Sequence, residues 1–489
     1  MRSRYLIVSV IAALFAATSA QAAVEISSKP TSNMTCSAGV CTPTAKKAVL
    51  NTNDLAAMLA SGDVHIQSSS IAPDIAINAA LSWASAHRLT LNSYRAIAVN
   101  KPVEVTGTGG VTITTNDGGA GGDLQFFGKG HVEFWDTSNS LVINSQNYVL
   151  ASSIKQIAAQ LEGGAAFVAL TKSLNTARHP YTQAPIANLA GTFEGLGNRI
   201  ANLNVRESKT SHNAALISEI SPTGVVRDLN VDAANISGDG ANDQLLGAVA
   251  GNNDGTISNV HVTGTIKLMA DHSTAGGLVG ESDGTITRCS ANVVVTGLGP
   301  SITIGGLVGI NYTIGEDHTG NIGESFSAGS VSAENNTGTN VGVGGLIGET
   351  VGGIVSNSYS RAQSSVAGSA ILSAGGMIGI AQTAVNPPPA ISNSYSTGLV
   401  TGSVNGWTGG FLGIDETKTN LVSAYWDLET SGISDPSKGA GNPANEPGIT
   451  GLTTTQFKSA LPDGFEKKLW REDAKINDGY PYLIANPPQ

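Results

Sequence analysis

Apolar and polar residues alternate in a series of short triplets along the first third of the chain. Val64-His65-Ile66 and Leu89-Thr90-Leu91 each have one apolar face, and Gly, Asn and Asp separate such triplets. A period of two is typical of a strand with one buried face. The pattern recurs at residues 75–77, 97–99, 103–105, 111–113, 124–126, 132–134 and 141–143. We therefore predict a run of short strands around a narrow core.

Two segments have helical periodicity instead. Asn53 or Asp54 is a candidate N-cap for a short helix that ends at Gly62. A second helix is predicted from Ser153 to Leu161, where apolar residues share one face before a pair of glycines. Both helices are short beside the strand-rich remainder, so the predicted fold class is all-β.

A five-residue glycine phrase, Gly276-Gly277-Leu278-Val279-Gly280, returns along the second half of the chain. Copies begin at residues 247, 276, 305, 344, 375 and 409, and the first of these is degenerate. Such a period is typical of a solenoid, whose units bury their apolar faces by stacking. A membrane helix-dimer motif would need a long apolar span, and a dinucleotide-binding loop would need a third glycine before a helix. We interpret the phrase as a short buried strand centred on Leu-Val, with glycines where coils pack closely or φ is positive.

A second repeating frame follows each glycine phrase. Copies begin at residues 200, 226, 257, 286, 322, 355 and 391, and their apolar positions share one parity. Its fourth position is Leu203, Leu229, Val260, Cys289, Ser325, Ser358 and Ser394 in turn. If this column faces inward, the core narrows or gains hydroxyl ladders toward the C-terminus. Cys289 is then a buried core thiol, because a reactive thiolate needs an activating histidine or a cationic pocket.

Three stretches resemble known families. Leu89-Thr90-Leu91-Asn92-Ser93-Tyr94-Arg95-Ala96-Ile97 resembles the coils of filamentous-haemagglutinin-like secreted proteins. Thr192-Phe193-Glu194-Gly195-Leu196-Gly197-Asn198 and the glycine phrases resemble the GLUG repeat of large surface adhesins, and Ala424-Tyr425-Trp426-Asp427 resembles the closing segment of such arrays. The resemblance implies a right-handed parallel β-helix (β-solenoid) with short helices and a C-terminal cap. It also implies an exported, noncatalytic adhesin that attaches to a glycan or protein on a host or neighbouring cell, with an outer-membrane secretion partner.

Composition and charge narrow the function further. Glycine accounts for 60 of the 489 residues, and charged residues make up 13%. The formal net charge of −11 disfavours nucleic acid and anionic lipid, which both need basic patches. Residues 1–22 have a basic start, an apolar run and Ala20-Gln21-Ala22, as in a secretory signal peptide. No other run is long enough for a membrane span, so the mature chain is predicted to be secreted or held at the cell surface.

The remaining boundaries follow from these patterns. Residues 23–50 are predicted to be a loose leader with a disulfide between Cys36 and Cys41, because export favours local disulfides and no zinc-type ligand pair accompanies them. Residues 51–164 are predicted to be the haemagglutinin-like coils and 165–425 the GLUG-type repeats. Residues 426–489 are predicted to cap the last coil, and a ligand platform is the alternative. Aromatic residues concentrate there at Trp426, Phe457, Phe465, Trp470, Tyr480 and Tyr482.

A search for catalytic motifs finds no metalloprotease, nucleophile-elbow, phosphate-loop or calcium-repeat pattern. Glu316-Asp317-His318 and Asp415-Glu416 are interpreted as solvated turns. Charged residues of the repeats are expected to occur singly rather than in a column, namely Glu281, Asp283, Arg288 and Arg361. We therefore predict no catalytic residue, no cofactor and no metal ligand. The alternative is a carbohydrate-active β-helix enzyme, either a polysaccharide lyase or a glycosidase.

Overall fold

The computed structural model describes residues 23–488 except 165, 315–317, 336–340, 369–371, 383–387 and 404. The predicted signal peptide and the pair Glu316-Asp317 lie outside these residues. Nearly every regular element is a strand, and most strands pair in parallel with the equivalent strand one coil further along the chain. The all-β prediction is confirmed, and the parallel pairing stacks the coils into a solenoid.

The N-terminal coils each contribute one strand to three sheets. All nine predicted triplets form strands, and their apolar residues point inward. The first sheet contains Lys47–Asn51, Ala23–Ser27, Asp74–Ile77, Ile97–Val99 and Leu124–Phe126. The second contains Leu81–Trp83, Val103–Val105 and Val132–Phe134. The third contains Met34–Ser37, Val40–Pro43, Val64–Gln67, Arg88–Asn92, Gly110–Thr114, Ser140–Ile143 and the antiparallel Gln146–Ala151.

The segment expected to be a loose leader is instead part of the stack. Ala23–Ser27 lies between Lys47–Asn51 and Asp74–Ile77 and pairs in parallel with both. Val24 and Ile26 are fully buried. The prediction of a loose leader was wrong, because two apolar residues in a Ser/Thr-rich stretch are a weak signal for a strand. Pairing with a strand on each side orders residues 23–27 nevertheless.

The predicted disulfide is confirmed and lies within residues 23–51, which precede helix α1 and which we call the N-terminal cap. Cys36 and Cys41 face each other across the antiparallel hairpin Met34–Ser37 and Val40–Pro43, and their sulfurs are bonded. The second hairpin strand pairs in parallel with Val64–Gln67. The hairpin therefore covers the first coil, where an unprotected strand edge would invite pairing with another chain.

Both predicted helices are present. Helix α1 spans Thr52–Ser61, and its N-cap is Asn51, whose side chain accepts a hydrogen bond from the Asn53 N–H. The expected caps Asn53 and Asp54 are therefore wrong by two or three residues. Helix α2 spans Ile154–Glu162, within one residue of the predicted bounds at each end, and Ser153 is its N-cap.

In the repeat coils each turn passes through three further sheets. The pre-glycine sheet contains Leu245–Leu246, Thr274–Gly276, Thr303–Gly305, Val341–Gly344, Leu372–Gly375 and Trp407–Gly409. The post-glycine sheet contains Ile186–Leu189, Ile217–Ile220, Ala250–Asn253, Val279–Ser282, Val308–Ile314, Ile347–Val351, Ile378–Gln382, Leu412–Asp415 and Ala440–Asn442, with His318–Thr319 beside it. The long sheet contains Phe167–Leu170, Leu174–Asn175, Thr192–Glu194, Arg199–Ala201, Asn204–Glu207, Val225–Gly238, Thr256–Leu268, Thr285–Thr287, Ser290–Leu298, Asn321–Gly323, Phe326–Asn335, Ile354–Ser356, Tyr359–Ser360, Gln363–Gly368, Ala390–Ser396, Val400–Thr401, Asn420–Asp427 and Ile449–Leu452.

The glycine phrase is a corner between two strands rather than one strand. Thr274–Gly276 ends at the first glycine, and Val279–Ser282 begins after the bend at Gly277 and Leu278. Leu278 is fully buried beneath the bend. The single-strand interpretation was wrong because a corner and a strand bury the same Leu-Val pair, so the apolar pattern does not distinguish them.

Close backbone approach explains all three glycines of the phrase. A Cβ on Gly276 would overlap the Val279 carbonyl oxygen, and a Cβ on Gly277 would overlap the Gly306 carbonyl oxygen one coil away. A Cβ on Gly280 would lie 2.7 Å from the Gly251 carbonyl oxygen. The glycines therefore let the backbones of the corner and of stacked coils touch, and none of the three has a positive φ.

The fourth column of the frame faces inward, as predicted. Its residues are all buried, from Leu203 through Cys289 to Ser394. Each serine accepts a backbone N–H from the preceding coil: Cys289 donates to Ser325 at 3.1 Å and Ser325 donates to Ser358 at 3.3 Å. The hydroxyl ladder is confirmed. Cys289 is a buried thiol, and burial raises its pKa to about 12, so the thiolate is not formed at neutral pH.

The aromatic C-terminal segment lies along the flank of the repeats, not over the last coil alone. Asn486 donates hydrogen bonds to the carbonyl oxygens of Cys289 and Glu324, both at 3.0 Å, and Trp470 donates to Asn357. Trp426 belongs to the main core instead. The segment contains helix α3 (Thr454–Phe457), 3-10 turns at Pro436–Lys438 and Asn477–Gly479, the strand Ala440–Asn442 already described, and the pair Trp470–Arg471 and Tyr482–Leu483.

A column of stacked rings on the long sheet holds this segment. Phe326 and Tyr359 stack with centroids 4.8 Å apart, and Tyr359 and Tyr395 stack at 5.0 Å. Phe457 and Trp470 of the C-terminal segment pack against them. The column is the fifth position of the repeating frame, directly after the buried fourth position.

Candidate binding face

The outward side of the long strands forms an extended surface over several consecutive coils. We call it the flat face. It consists of Thr263, Thr265, Lys267, Met269, Asn292, Val294, Thr296, Leu298, Ala328, Ser330, Ser332, Glu334, Gln363, Ser365, Ala367 and Thr401. All of these residues are exposed or half-buried. These side chains point outward because side chains alternate along a strand, and the residues between them, such as Val295 and Val331, fill the core.

Parallel pairing brings equivalent residues of this face into register. Thr296 pairs with Ser332, Ser332 with Ser365, and Ser365 with Thr401. Neighbouring strands in a sheet lie about 4.8 Å apart. The four hydroxyls therefore form a straight row along the solenoid axis, which we call the outer hydroxyl row.

The flat face is almost uncharged on an acidic protein. It contains one carboxylate, Glu334, and one cation, Lys267, although the whole chain has a net charge of −11. Two outward glutamates of the N-terminal coils, Glu104 and Glu133, pair in register by contrast. Charge is thus sparse on the flat face, whereas the preceding long strand, Val225–Gly238, carries Arg227, Asp228 and Asp232.

The hydroxyls of this face differ from those inside the coils. The inward Ser325 and Ser358 each donate to a carbonyl oxygen at 2.8 Å and accept a backbone N–H. Within the described part of the chain, the four hydroxyls of the outer row make no intramolecular hydrogen bond. Their donors and acceptors are available to solvent or to a ligand.

Aliphatic side chains stand beside the outer hydroxyl row. Val294 is 43% exposed, Leu298 is 54% exposed and Met269 is 37% exposed. Val294 and Leu298 flank Thr296 on the same strand. Apolar side chains next to unpaired hydroxyls suit a ligand that has both apolar and hydroxyl-bearing surfaces.

Three glutamates share one register position but do not stack directly on one another, as the sequence interpretation expected. Glu219, Glu281 and Glu349 occupy one register position of the post-glycine sheet, separated by Asn252 and Ile310. Burial raises the pKa of Glu281 and raises that of Glu349 to about 7. The sequence signal for this shared register is the residue directly after each glycine phrase, which is in turn Asn252, Glu281, Ile310, Glu349, Ile380 and Ile414.

Glu281 and Glu349 each have a threonine neighbour. The Thr274 hydroxyl lies 3.3 Å from a Glu281 oxygen, and the Thr303 hydroxyl lies 3.5 Å from a Glu349 oxygen. Both threonines belong to the pre-glycine sheet. The carboxyls therefore lie where the two sheets around the glycine corner meet.

A second polar cluster lies between the N-terminal coils and the repeats. Glu194 is fully buried and forms an ion pair with Arg227 at 2.6 Å, while Arg227 donates to the Tyr148 hydroxyl at 3.0 Å. Burial raises the pKa values of Glu194 and Asp228. This network connects Tyr148, which packs in the core of the N-terminal coils, to Glu194 and Arg227 of the long sheet, and so stabilises the junction.

The cleft beside this junction is too small for a sugar. Asp228, Asn259 and His261 line it together with Phe126 of the N-terminal coils, and it has room for a water molecule. Burial lowers the pKa of His261 to about 4, so the ring is neutral at pH 7. The cluster accordingly has a structural role.

The other charged residues singled out in the sequence have structural partners. Asp415 is buried and accepts backbone N–H groups from Thr417 and Thr419, so it organises a turn. Arg288 pairs with Asp123 at 2.6 Å and Arg361 with Asp478 at 2.6 Å. The second of these pairs attaches the C-terminal segment to the repeats.

No group of three or more His, Cys, Asp or Glu side chains among the described residues is arranged to hold a metal ion. No helix within that part of the chain is long and apolar enough to cross a membrane.

Comparisons with known proteins give short or distant matches. No protein-family model matches the chain. An 87-residue stretch is 40% identical to Halomucin from Haloquadratum walsbyi, and this match spans 17% of the chain and 1% of Halomucin. The crystal structure of a candidate immunoglobulin A1 protease from Bacteroides ovatus aligns over 69% of this chain and 92% of its own, with a TM-score of 0.43 and 16% identity. Likeness at this level carries no argument, so function is inferred from the surface itself.

Proposed function

We propose that the protein is an exported, noncatalytic, adhesin-like scaffold, built as a right-handed parallel β-helix, that attaches through its flat face. Export would use the signal peptide predicted at residues 1–22, and an outer-membrane partner would complete secretion. The ligand is a glycan or protein on a host or neighbouring cell. The N-terminal cap and the C-terminal flank segment leave the flat face open between them.

One observation carries this proposal. The flat face keeps unpaired hydroxyls and exposed aliphatic side chains in register over consecutive coils, and it avoids the charge found elsewhere on the molecule. A solvated sheet surface with no partner would tolerate the charged residues that the N-terminal coils place outward. Exposed apolar residues bordered by polar ones are typical of interaction surfaces.

The test compares two arginine substitutions on outward serines. Ser332 lies on the flat face, and Ser82 lies outward on the N-terminal strand Leu81–Trp83. We expect Ser332→Arg to weaken binding of the labelled mature chain to epithelial cells and matrix-coated wells by about tenfold or more, because its side chain projects into the interface. Ser82→Arg should bind like the parent. Equal binding by both variants would show that the flat face is not the attachment surface.

A second candidate function, glycan hydrolysis, is favoured by one specific feature. Glu281 and Glu349 stand two rungs apart, roughly 10 Å between Cα atoms, and the pKa of Glu349 is raised to about 7. Inverting glycosidases use an acid of raised pKa and a base whose carboxyl lies roughly 6.5–9.5 Å away. Ile310 stands between the two carboxyls at the position that an attacking water would need, which favours the adhesin.

A glycan-degradation screen separates the two functions. Release of reducing ends or unsaturated products by the mature chain, abolished by Glu349→Gln, would establish the enzyme and displace the noncatalytic proposal. The adhesin predicts no turnover above that of the Glu349→Gln variant.

A further inference from the structure

The outer hydroxyl row specifies a ligand by its spacing. Thr296, Ser332, Ser365 and Thr401 come from four consecutive coils and are connected by direct strand pairing. Their spacing is constant at about 4.8 Å along the axis. A ligand that engages every member must itself present polar groups repeatedly along one line. That requirement points to a linear polymer lying parallel to the solenoid axis.

Charge excludes the polyanions among linear polymers. The four residues of the row are uncharged, and the one cation of the flat face is Lys267, which pairs in register with Thr296 one coil earlier. Polyanions such as nucleic acids bind through several Lys or Arg contacts and release counterions. A protein with a net charge of −11 repels them. An uncharged polymer avoids both difficulties.

Backbone geometry disfavours an extended peptide. Peptides that add to a sheet pair with free N–H and C=O groups at a strand edge. The flat face is the broad side of the long sheet, where backbone groups already bond to the coils before and after. Side-chain hydroxyls and aliphatic groups are what this surface offers. Sugar rings present the complementary groups, hydroxyls at their edges and C–H groups on their faces.

We propose that the outer hydroxyl row, together with Val294 and Leu298, binds a linear, uncharged polysaccharide along the solenoid axis. This inference rests on the proposed attachment through the flat face and specifies its ligand class. The hydroxyls exchange hydrogen bonds with the sugar hydroxyls. The exposed aliphatic side chains cover the apolar faces of the rings.

The test uses defined polymers. Laminarin, dextran and hydroxyethyl cellulose serve as uncharged probes and alginate as a polyanion, with binding measured by affinity electrophoresis and calorimetry. We expect at least one uncharged probe to bind and alginate not to bind. The row spans roughly 14 Å, which is three inter-strand spacings. For the probe that binds, affinity should rise with oligosaccharide length until the oligosaccharide spans the row, and should then level off.

Two matched variants locate the contact. The double variant Thr296→Val with Ser332→Ala removes two hydroxyls while keeping strand shape, and we expect a loss of about tenfold in affinity, since each hydrogen bond contributes about 0.5–1.5 kcal/mol. Thr90→Val removes an outward hydroxyl from the N-terminal strand Arg88–Asn92 and should change nothing. Circular dichroism checks that both variants are folded.

Failure of this inference is distinguishable from failure of the proposed function. If no uncharged probe binds while Ser332→Arg still abolishes attachment to cells, the ligand is not an uncharged polysaccharide, and the flat face remains the attachment site. Equal loss in the double variant and in Thr90→Val would also overturn it. A concentration-dependent dimer disrupted by Ser332→Arg would show that a second copy of the chain occupies the face instead.

Discussion

The N-terminal coils and the repeat coils solve the same packing problem with different residues. In the N-terminal coils, short strands from three sheets point aliphatic side chains such as Ile75, Ile97 and Val103 into a common core. In the repeats, two sheets fold against each other at the corner Gly276-Gly277, and backbone lies on backbone. Both regions bury aliphatic side chains, and the repeats add a recurring corner at which the glycine backbones of neighbouring coils touch.

The difference extends to polar groups inside the coils. The fourth column changes from Leu203 and Leu229 to Ser325, Ser358 and Ser394 along the chain. Buried hydroxyls are tolerated because each one satisfies a backbone N–H of the coil before it. A repetitive backbone can therefore replace apolar burial with hydrogen bonding, provided that every member of the ladder is present.

The largest expected effect comes from removing side-chain volume in the N-terminal coils. Ile97 is fully buried between Ile75 and the strand Leu124–Phe126. Ile97→Ala should lower the free energy of unfolding by about 2–5 kcal/mol, because it leaves a cavity. Thr90→Ala, on an outward position, is the control. A loss below about 1 kcal/mol, measured by urea unfolding, would show that this core does not depend on volume.

The converse substitution, which adds one methyl group, should lower the free energy of unfolding of the repeat coils. A Cβ on Gly306 would overlap the Gly345 carbonyl oxygen and lie 3.0 Å from the Ser327 Cβ. We expect Gly306→Ala to cost roughly 2–4 kcal/mol, because backbone in the next coil cannot move aside. Gly323→Ala is the matched control in the same region, since its nearest neighbour would be 3.6 Å away. Comparable stability of the two variants would contradict the close-approach argument.

Breaking the inner serine ladder should have an intermediate effect. Ser358→Ala leaves the Ser325 N–H without its acceptor, and an unpaired buried donor costs about 1–3 kcal/mol. Ser365→Ala, on the flat face, should change stability by less than about 0.5 kcal/mol. Hydrogen exchange of the Ser325 amide measures directly whether this hydrogen bond protects it. If exchange there is not accelerated, the hydroxyl is not its essential partner.

The smallest effect depends on pH. The pKa of Glu349 is raised from 4.5 to about 7, so the folded state binds its proton more tightly than the unfolded chain. Its stabilising contribution is complete below pH 4.5 and is lost as the pH rises through about 7. Glu349→Gln should therefore gain about 1–2 kcal/mol over the parent at pH 8 relative to pH 4.5. An equal difference at both pH values would argue against a buried, titrating carboxyl.

Much of this architecture could be predicted from local patterns. The triplets, helix α2 and the burial of Cys289 follow from periodicity and from alignment of the repeats, because each depends on residues close in sequence. The glycine corner could not be predicted, since a bend and a strand bury Leu278 and Val279 alike. The order of residues 23–27 depended on pairing with strands about 24 and 51 positions away.

The candidate site was harder to predict than the fold. The outward parity of Ser332 can be read from its strand, but its alignment with Thr296 and Ser365 depends on register across coils of unequal length. The flank position of the C-terminal segment was not predicted, although the rings on which it packs, Tyr359 and Tyr395, recur directly after the buried serines. The shared register of Glu281 and Glu349 was not predicted, because Ile310 occupies the same position in the coil between them.

Hydroxyl-radical footprinting of the bound protein tests the central claim most directly, because it compares the two regions within one molecule. Met269 and Leu298 report on the flat face, and Trp135, 63% exposed, reports on the N-terminal coils. When the mature chain is bound to matrix-coated beads, we expect oxidation of Met269 and Leu298 to fall several-fold while that of Trp135 stays unchanged. Protection of Trp135 with full oxidation of Met269 and Leu298 would place attachment on the N-terminal coils and contradict the account.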